Sequence, residues 1–225
     1  MLGTVDEVTA IMDDDPAVLA GIFTDEVHPV RQLPGRQLSP AEPSRSVARS
    51  QFYDSRRRWH LHSMADNGFR VTSSLFGEGE TIPTSAAYTS TGGRNISPDL
   101  QWTGAPEGTR SFALSVWDPD APTGVGFTHW VLFNLDPGLT GLEAGAGAAG
   151  KNPPGSTLGL TDFGDSDYAG MAPPEGDEPH HYHFTVYALD EAALDSGPTT
   201  TYPKFQFLIR GHVLAEATLI GRFGV

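Results

Sequence analysis

The chain has 225 residues, a formal net charge of −14 and a pI of about 4.8. That acid excess argues against a nucleic-acid partner, which needs a basic stripe, and disfavours adsorption on an anionic leaflet. There is no cysteine, which removes a disulfide framework, a thiol nucleophile and Cys-ligated zinc.

The N-terminal stretch MLGTVDEVTAIMDDDP is acidic and has no basic n-region, so a secretory signal is not expected and a cytoplasmic setting is the default. No apolar run approaches the roughly 20 residues that span a bilayer. Residues 5–27 carry a weakly helical, acidic pattern with Val8, Ile11 and Met12 spaced for one face. Residues 29–58 are rich in Pro, Ser and Arg, lack periodicity and read as disordered or loosely attached. Arg56, Arg57, Arg58, Trp59 and His60 could form a basic aromatic patch for an anionic partner. A solvated charge run in a tail is the plainer account. Residues 1–66 are therefore expected to be an extension, partly helical or disordered, before a domain over 67–225. Met64 offers an alternative start, and the helix near Val8 could instead act as a lid or a homodimer arm.

From Phe69 onward, short apolar runs alternate with turn signals, and 26 Gly with 18 Pro suit many short strands. Strands are expected near residues 69–74, 111–117, 128–135 and 183–190. In the second, Phe112, Leu114 and Val116 alternate with Ala113, Ser115 and Trp117, the pattern of a half-buried strand. Asp118 continues the even face, and Pro119 removes a ladder donor and stops the pairing. Asp118 and Asp120 then sit in an Asp/Pro turn, DPDAP, and His129 opens the next apolar run. Residues 138–154 make a long Gly-rich loop, of a length that is usually functional or mobile. After the irregular loop around Gly170, Pro173, Pro174 and Gly176 comes HHYHFTVYALD. There His180, Tyr182 and Phe184 share one face, and His181, His183 and Thr185 the other. Near the end, Phe205, Leu208 and Ile209 have helical spacing, and residues 212–220 read as a strand or a second helix.

The blocks FRVTSSLFGEGETIP, NISPDLQWTGAPEGTRSFAL, DPDAP, HWVLFN, TDFG, DYAGMAPPEG, HHYHFTVYALD and GHVLAEATLIG follow one another over about two-thirds of the chain. In that order they resemble the phosphatidylethanolamine-binding protein family, also called Raf kinase inhibitor-like proteins, in its prokaryotic branch. The resemblance implies a mainly β fold, a two-sheet Greek-key β-sandwich with a few short helices. It does not reach residues 1–66.

Each candidate residue has a plain alternative. Asp118 could simply cap its turn. The resemblance makes it the pocket carboxylate, with Asp120 as structural support that bonds backbone donors. Pro122 matches a pocket-lining proline, and the bond Ala121–Pro122 is implied to be cis. His129 alone would read as a hydrogen-bonded residue at a strand start, but it matches the family's pocket histidine. His180 and Tyr182 carry over from a His-x-Tyr pair, so His181 and His183 should point away. Gly170 matches a glycine whose backbone approaches a bound anion. Ala172 departs from the family, which has Gly or Cys there, and its methyl would narrow the anion cradle. Trp130 is expected in the core.

One carboxylate beside two imidazoles, a phenol and a glycine-flanked backbone suits a phosphate-bearing or zwitterionic small ligand. The leading expectation is thus a small-ligand binding and regulatory protein with an anion pocket for phosphate or a phosphoethanolamine headgroup, without a cofactor. The alternative is an inhibitor of a kinase or protease acting through the pocket rim. A hydrolase using His129 and Asp118 ranks lower, because no GxSxG elbow is present. A metal held by Asp118, His129 and His180 also ranks lower, because no compact metal motif is present.

Overall fold

The computed structural model describes residues 68–225. The expected extension, its helix near Val8, the patch at Arg56 to His60 and the alternative start at Met64 lie outside the described residues.

The strands in chain order are β1 (Arg70–Thr72), β2 (Leu100–Thr103), β3 (Ser111–Asp118), β4 (Phe127–Leu135), β5 (Gly141–Leu142), β6 (Thr157–Leu158), β7 (His180–Leu189) and β8 (Val213–Phe223). A helix, α1 (Tyr202–Ile209), precedes β8, and two 3₁₀ turns lie at Thr84–Ala86 and Thr89–Thr91. All pairings are antiparallel, in a three-stranded sheet β1-β2-β5 and a five-stranded sheet β6-β4-β3-β7-β8.

The two sheets face each other across one core. Phe112, Leu114 and Val116 of β3 pack there with Val71, Leu100, Trp102 and Leu142 of the smaller sheet. Phe69 and Trp102 meet Phe112 with ring centroids 6.1 and 5.4 Å apart. Full burial of each such ring contributes about 1.5–3 kcal/mol.

The opposite face of β3 is also buried, which corrects the half-buried reading. Ala113 joins Val131, Phe133, Tyr187 and Leu189 in a second core under Phe205 and Ile209 of α1. Ser115 is tolerated there because its hydroxyl lies 3.2 Å from that of Tyr187, which also accepts from Gln206 Nε2 at 3.0 Å. The helical spacing of Phe205, Leu208 and Ile209 is thus used on this sheet. The C-terminal run is β8, with Ala215, Ala217 and Leu219 turned inward at period two.

The Gly-rich loop is less open than its composition implies. Gly141 starts β5, and Gly147 lies under Tyr168, where an added Cβ would be 2.4 Å from the Tyr168 Cβ.

Two irregularities in the β3–β4 ladder matter for the site. Phe112 pairs with Leu135 and Leu114 with Leu132, and Asn134 in that bulge adopts φ 60°. Val116 pairs with Trp130 and Trp117 with Thr128, so His129 is the extra residue of the second bulge. Without that bulge, His129 and Trp130 would face opposite sides of the sheet. β6 and β7 flank the β3–β4 hairpin on opposite sides, so residues 159–179 must cross the sheet. That crossing brings the remaining groups to His129.

Candidate functional site

The site forms where β3 ends, β4 bulges and β7 begins. Asp118, the last residue of β3, is 2% exposed and has all its bonds made. Its Oδ1 accepts from the amides of Asp120 and Ala121, at 2.8 and 3.2 Å, and its Oδ2 accepts from His180 Nδ1 at 2.7 Å. It therefore caps its turn and holds an imidazole at the same time. Asp120 ties the turn to β7, because its Oδ2 accepts from both the amide and Nδ1 of His181, at 2.8 and 2.7 Å. Burial opposes the Asp120 charge, but the His181 bonds and the neighbouring imidazoles outweigh it and hold the carboxyl below its ordinary value.

Pro122 is exposed on this loop, and no peptide bond among the described residues is cis. The expected cis Ala121–Pro122 bond is therefore corrected to trans. The trans amide is favoured by about 0.5–1 kcal/mol, and the loop closes without a cis bond. Its closure comes from Asp118 and from the Thr123 amide, which donates to Ala121 O at 2.8 Å.

His129 is 3% exposed, and its Nδ1 donates to the carbonyls of Ala169 and Gly170 at 2.9 and 3.1 Å. Two carbonyl acceptors fix the proton on Nδ1. Burial pushes its pKa down, against smaller opposing contributions from those carbonyls and from Asp118 and Asp162. His129 is thus a neutral imidazole whose Nε2 carries a lone pair.

His180, 4% exposed, is the opposite case. Burial pulls its pKa down, but the Asp118 bond and charge, then Asp177 and Asp120, outweigh it and the pKa is raised. Its Nε2 lies 3.5 Å from Asp177 Oδ2. Tyr182 lies between the two histidines, its ring centroid 5.2 Å from that of His129 and 6.5 Å from that of His180. The Tyr182 hydroxyl is buried and makes no hydrogen bond of proper geometry among the described residues, with the Asp118 carboxylate close enough to act on it. Burial, then the charge and proximity of Asp118, raise its pKa.

The Gly170 amide donates to Asn95 Oδ1 at 2.6 Å, and its carbonyl accepts from His129. Glycine is required by packing, because an added Cβ would be 2.3 Å from Ala86 O. Ala172 is half-buried two residues further on. His181 turns to Asp120, and His183 meets Trp117 edge-on at 6.0 Å, so both leave the face of Tyr182. Trp130 is fully buried and packs edge-on against Tyr168.

Several neighbours were not singled out in the sequence. Asp162 clasps Thr128 through its Oδ2, which accepts the Thr128 amide at 2.7 Å. Phe127 and Phe163 pack on His129 at 5.2 and 6.0 Å, and Tyr88 stacks on Phe163 at 4.6 Å. Asn95, Asp162 and Phe163 lie inside the motif blocks NISPD and TDFG, which was the available signal. Asp177 had none. A cleft of about 490 Å³ is lined by Gly79, Glu80, Thr81, Glu178, Pro179 and Arg222, and by none of Asp118, His129, His180 and Tyr182. Among the described residues, no group of three or more His, Asp or Glu is arranged to hold a metal.

The site therefore combines a histidine whose charged form is favoured, a histidine whose neutral form is favoured and a buried phenol, under an aromatic collar. The sequence model described as phosphatidylethanolamine-binding protein matches residues 72–224. The chain is 39% identical over 155 residues to the UPF0098 protein YbcL of Escherichia coli K12, covering 67% of this chain and 85% of that protein. It is 47% identical over 131 residues to a UPF0098 protein of Methanothermobacter thermautotrophicus, covering 58% and 84%. The crystal structure of E. coli YbcL, described as a new member of the mammalian PEBP family, superposes with a TM-score of 0.68 at 37% identity. It covers 70% of this chain and 98% of that one.

Proposed function

We propose, for a chain that belongs to the phosphatidylethanolamine-binding protein family, that it is a small-ligand binding and regulatory module whose site takes a phosphate-like anion. The observation that carries this reading is the Tyr182 hydroxyl, fully buried and without a partner beside His180 and His129. An orphaned buried hydroxyl costs about 1–3 kcal/mol, which a ligand oxygen would recover. His180 Nε2–H offers a charge-assisted donor to the same ligand. His129 Nε2 would accept from any proton the ligand carries, which suits a phosphomonoester monoanion or an ammonium-bearing headgroup such as phosphoethanolamine.

Titration with inorganic phosphate and with phosphoethanolamine, followed calorimetrically, tests this. Binding by the natural protein that weakens about tenfold in Tyr182→Phe supports it. Binding that is unchanged in Tyr182→Phe, or no binding at all, overturns it.

A second reading, inhibition of a kinase or protease through the rim, is favoured by one observation. Val125 on the β3–β4 loop is 81% exposed, and Phe163 stands 39% exposed over His129. Exposed apolar side chains at a site mouth suit contact with a protein. Inhibition lost in Val125→Asp but kept in Tyr182→Phe would support it.

A further inference from the structure

Asp177 is placed by its local sequence. Gly176 adopts φ 89° and the Asp177 amide donates to Pro174 O at 3.3 Å, which closes a turn over residues 174–177. A positive φ at the third position is where such a turn needs glycine. The turn itself is exposed, yet the Asp177 carboxylate points back to His180, whose side chain is 5% exposed.

The chemistry at His180 leaves one place for a ligand. Nδ1 is held by Asp118 at 2.7 Å, and Asp118 is in turn held by two backbone amides. Only Nε2 remains, and Asp177 Oδ2 stands 3.5 Å from it. That distance is longer than the 2.7–2.9 Å of a full charge-assisted bond, so the carboxylate is near but loosely held. The other groups facing the imidazole are Asp118 from the end of β3, Asp120 from the following loop and Tyr182 from β7.

We infer that Asp177 is an internal competitor that occupies the anion position on His180 and sets the threshold an external anion must exceed. The inference rests on the anion-binding reading above. A ligand oxygen must displace the carboxylate from Nε2 or share the imidazolium with it, at the cost of like-charge repulsion. Asp177 is then a specificity-determining residue that admits strongly basic anions such as phosphate and rejects weak ones.

The test compares the natural protein, Asp177→Asn and Glu178→Gln in the full chain, titrated with inorganic phosphate at low salt. Glu178 is the neighbouring exposed carboxylate and loses the same charge, but it makes no bond to His180. Asp177→Asn should lower the phosphate Kd about fivefold, and Glu178→Gln less than about twofold. Equal or weaker binding by Asp177→Asn, or an equal gain in Glu178→Gln, overturns the inference and leaves the anion site standing. No binding by any of the three overturns both. Thermal melts should show Glu178→Gln, an exposed change, matching the natural protein and Asp177→Asn lowered only slightly by loss of its 3.5 Å contact with His180.

Discussion

His129 and His180 both pack near the Tyr182 ring, with centroids 5.2 and 6.5 Å from it, and their pKa values are pushed in opposite directions, His129 down by burial and His180 up by the Asp118 carboxylate at its Nδ1. His129 Nδ1 donates to two neutral carbonyls in a buried setting, and its pKa is lowered. His180 Nδ1 meets a carboxylate, and its pKa is raised. One side chain type is thus biased toward its neutral form at one position and toward its charged form at the other, within one cluster.

The pH dependence of stability follows with two opposite signs. A raised His pKa gives stability that is complete below the unfolded value of about 6.5 and is lost as pH rises through the folded pKa. That is His180. A lowered His pKa gives stability that is complete above about 6.5 and is lost as pH falls toward the folded pKa. That is His129. Urea midpoints measured between about pH 5 and 9 should therefore pass through a maximum. His180→Gln should flatten the alkaline limb, and His129→Gln the acid limb. A limb unchanged by its own substitution would contradict the assignment.

Tyr182→Phe separates binding from folding. The lost hydroxyl has no partner, so the ligand-free protein should be as stable as before or up to about 1 kcal/mol more stable. Equilibrium urea unfolding without phosphate reads this. A loss above about 1 kcal/mol would mean that the hydroxyl has a structural bond.

Asp118→Asn tests the other end of the cluster. The amide can still accept from Asp120 and Ala121, but the charge that sustains the His180 imidazolium is removed. The His180 pKa should fall, read from its imidazole proton shifts. Stability at pH 6 should drop by about 2–4 kcal/mol, because a buried partner of a charged group is lost. An unmoved His180 titration would show that Asp177 and Asp120 suffice.

The strands β3, β4 and β7 were legible as short apolar runs between turn signals, and residues 212–220, open between strand and helix in the sequence, form part of β8. The shared face of His180 and Tyr182 came from the period-two rule. Three things were not legible. Burial of Ala113 on the second face of β3 depends on α1, about ninety residues away in sequence. The bulge at His129 is a property of register between two strands, which neither strand encodes alone. The bond from the Gly170 amide to Asn95 joins residues 75 positions apart, and no spacing rule connects them. The cis bond before Pro122 was inferred by resemblance alone, and the local turn shows why a trans bond suffices.

Asn95 gives the last prediction, because it holds the site without touching it. It has φ 57°, a conformation that Asn tolerates and most side chains avoid. Its Oδ1 fixes the Gly170 amide at 2.6 Å, and Gly170 and Ala169 carbonyls fix the His129 tautomer. Asn95→Gly keeps the backbone conformation and loses only the hydrogen bond, which should cost about 1–3 kcal/mol. Asn95→Ala adds the left-handed backbone penalty of about 1–2 kcal/mol and should be the less stable of the two. Both variants should loosen the carbonyl pair and broaden the slowly exchanging Nδ1–H signal of His129 in proton spectra. If Asn95→Ala and Asn95→Gly were equally stable, backbone strain at this position would be unimportant. If the His129 signal stayed sharp in both, Gly170 would be held by its packing against Ala86 alone.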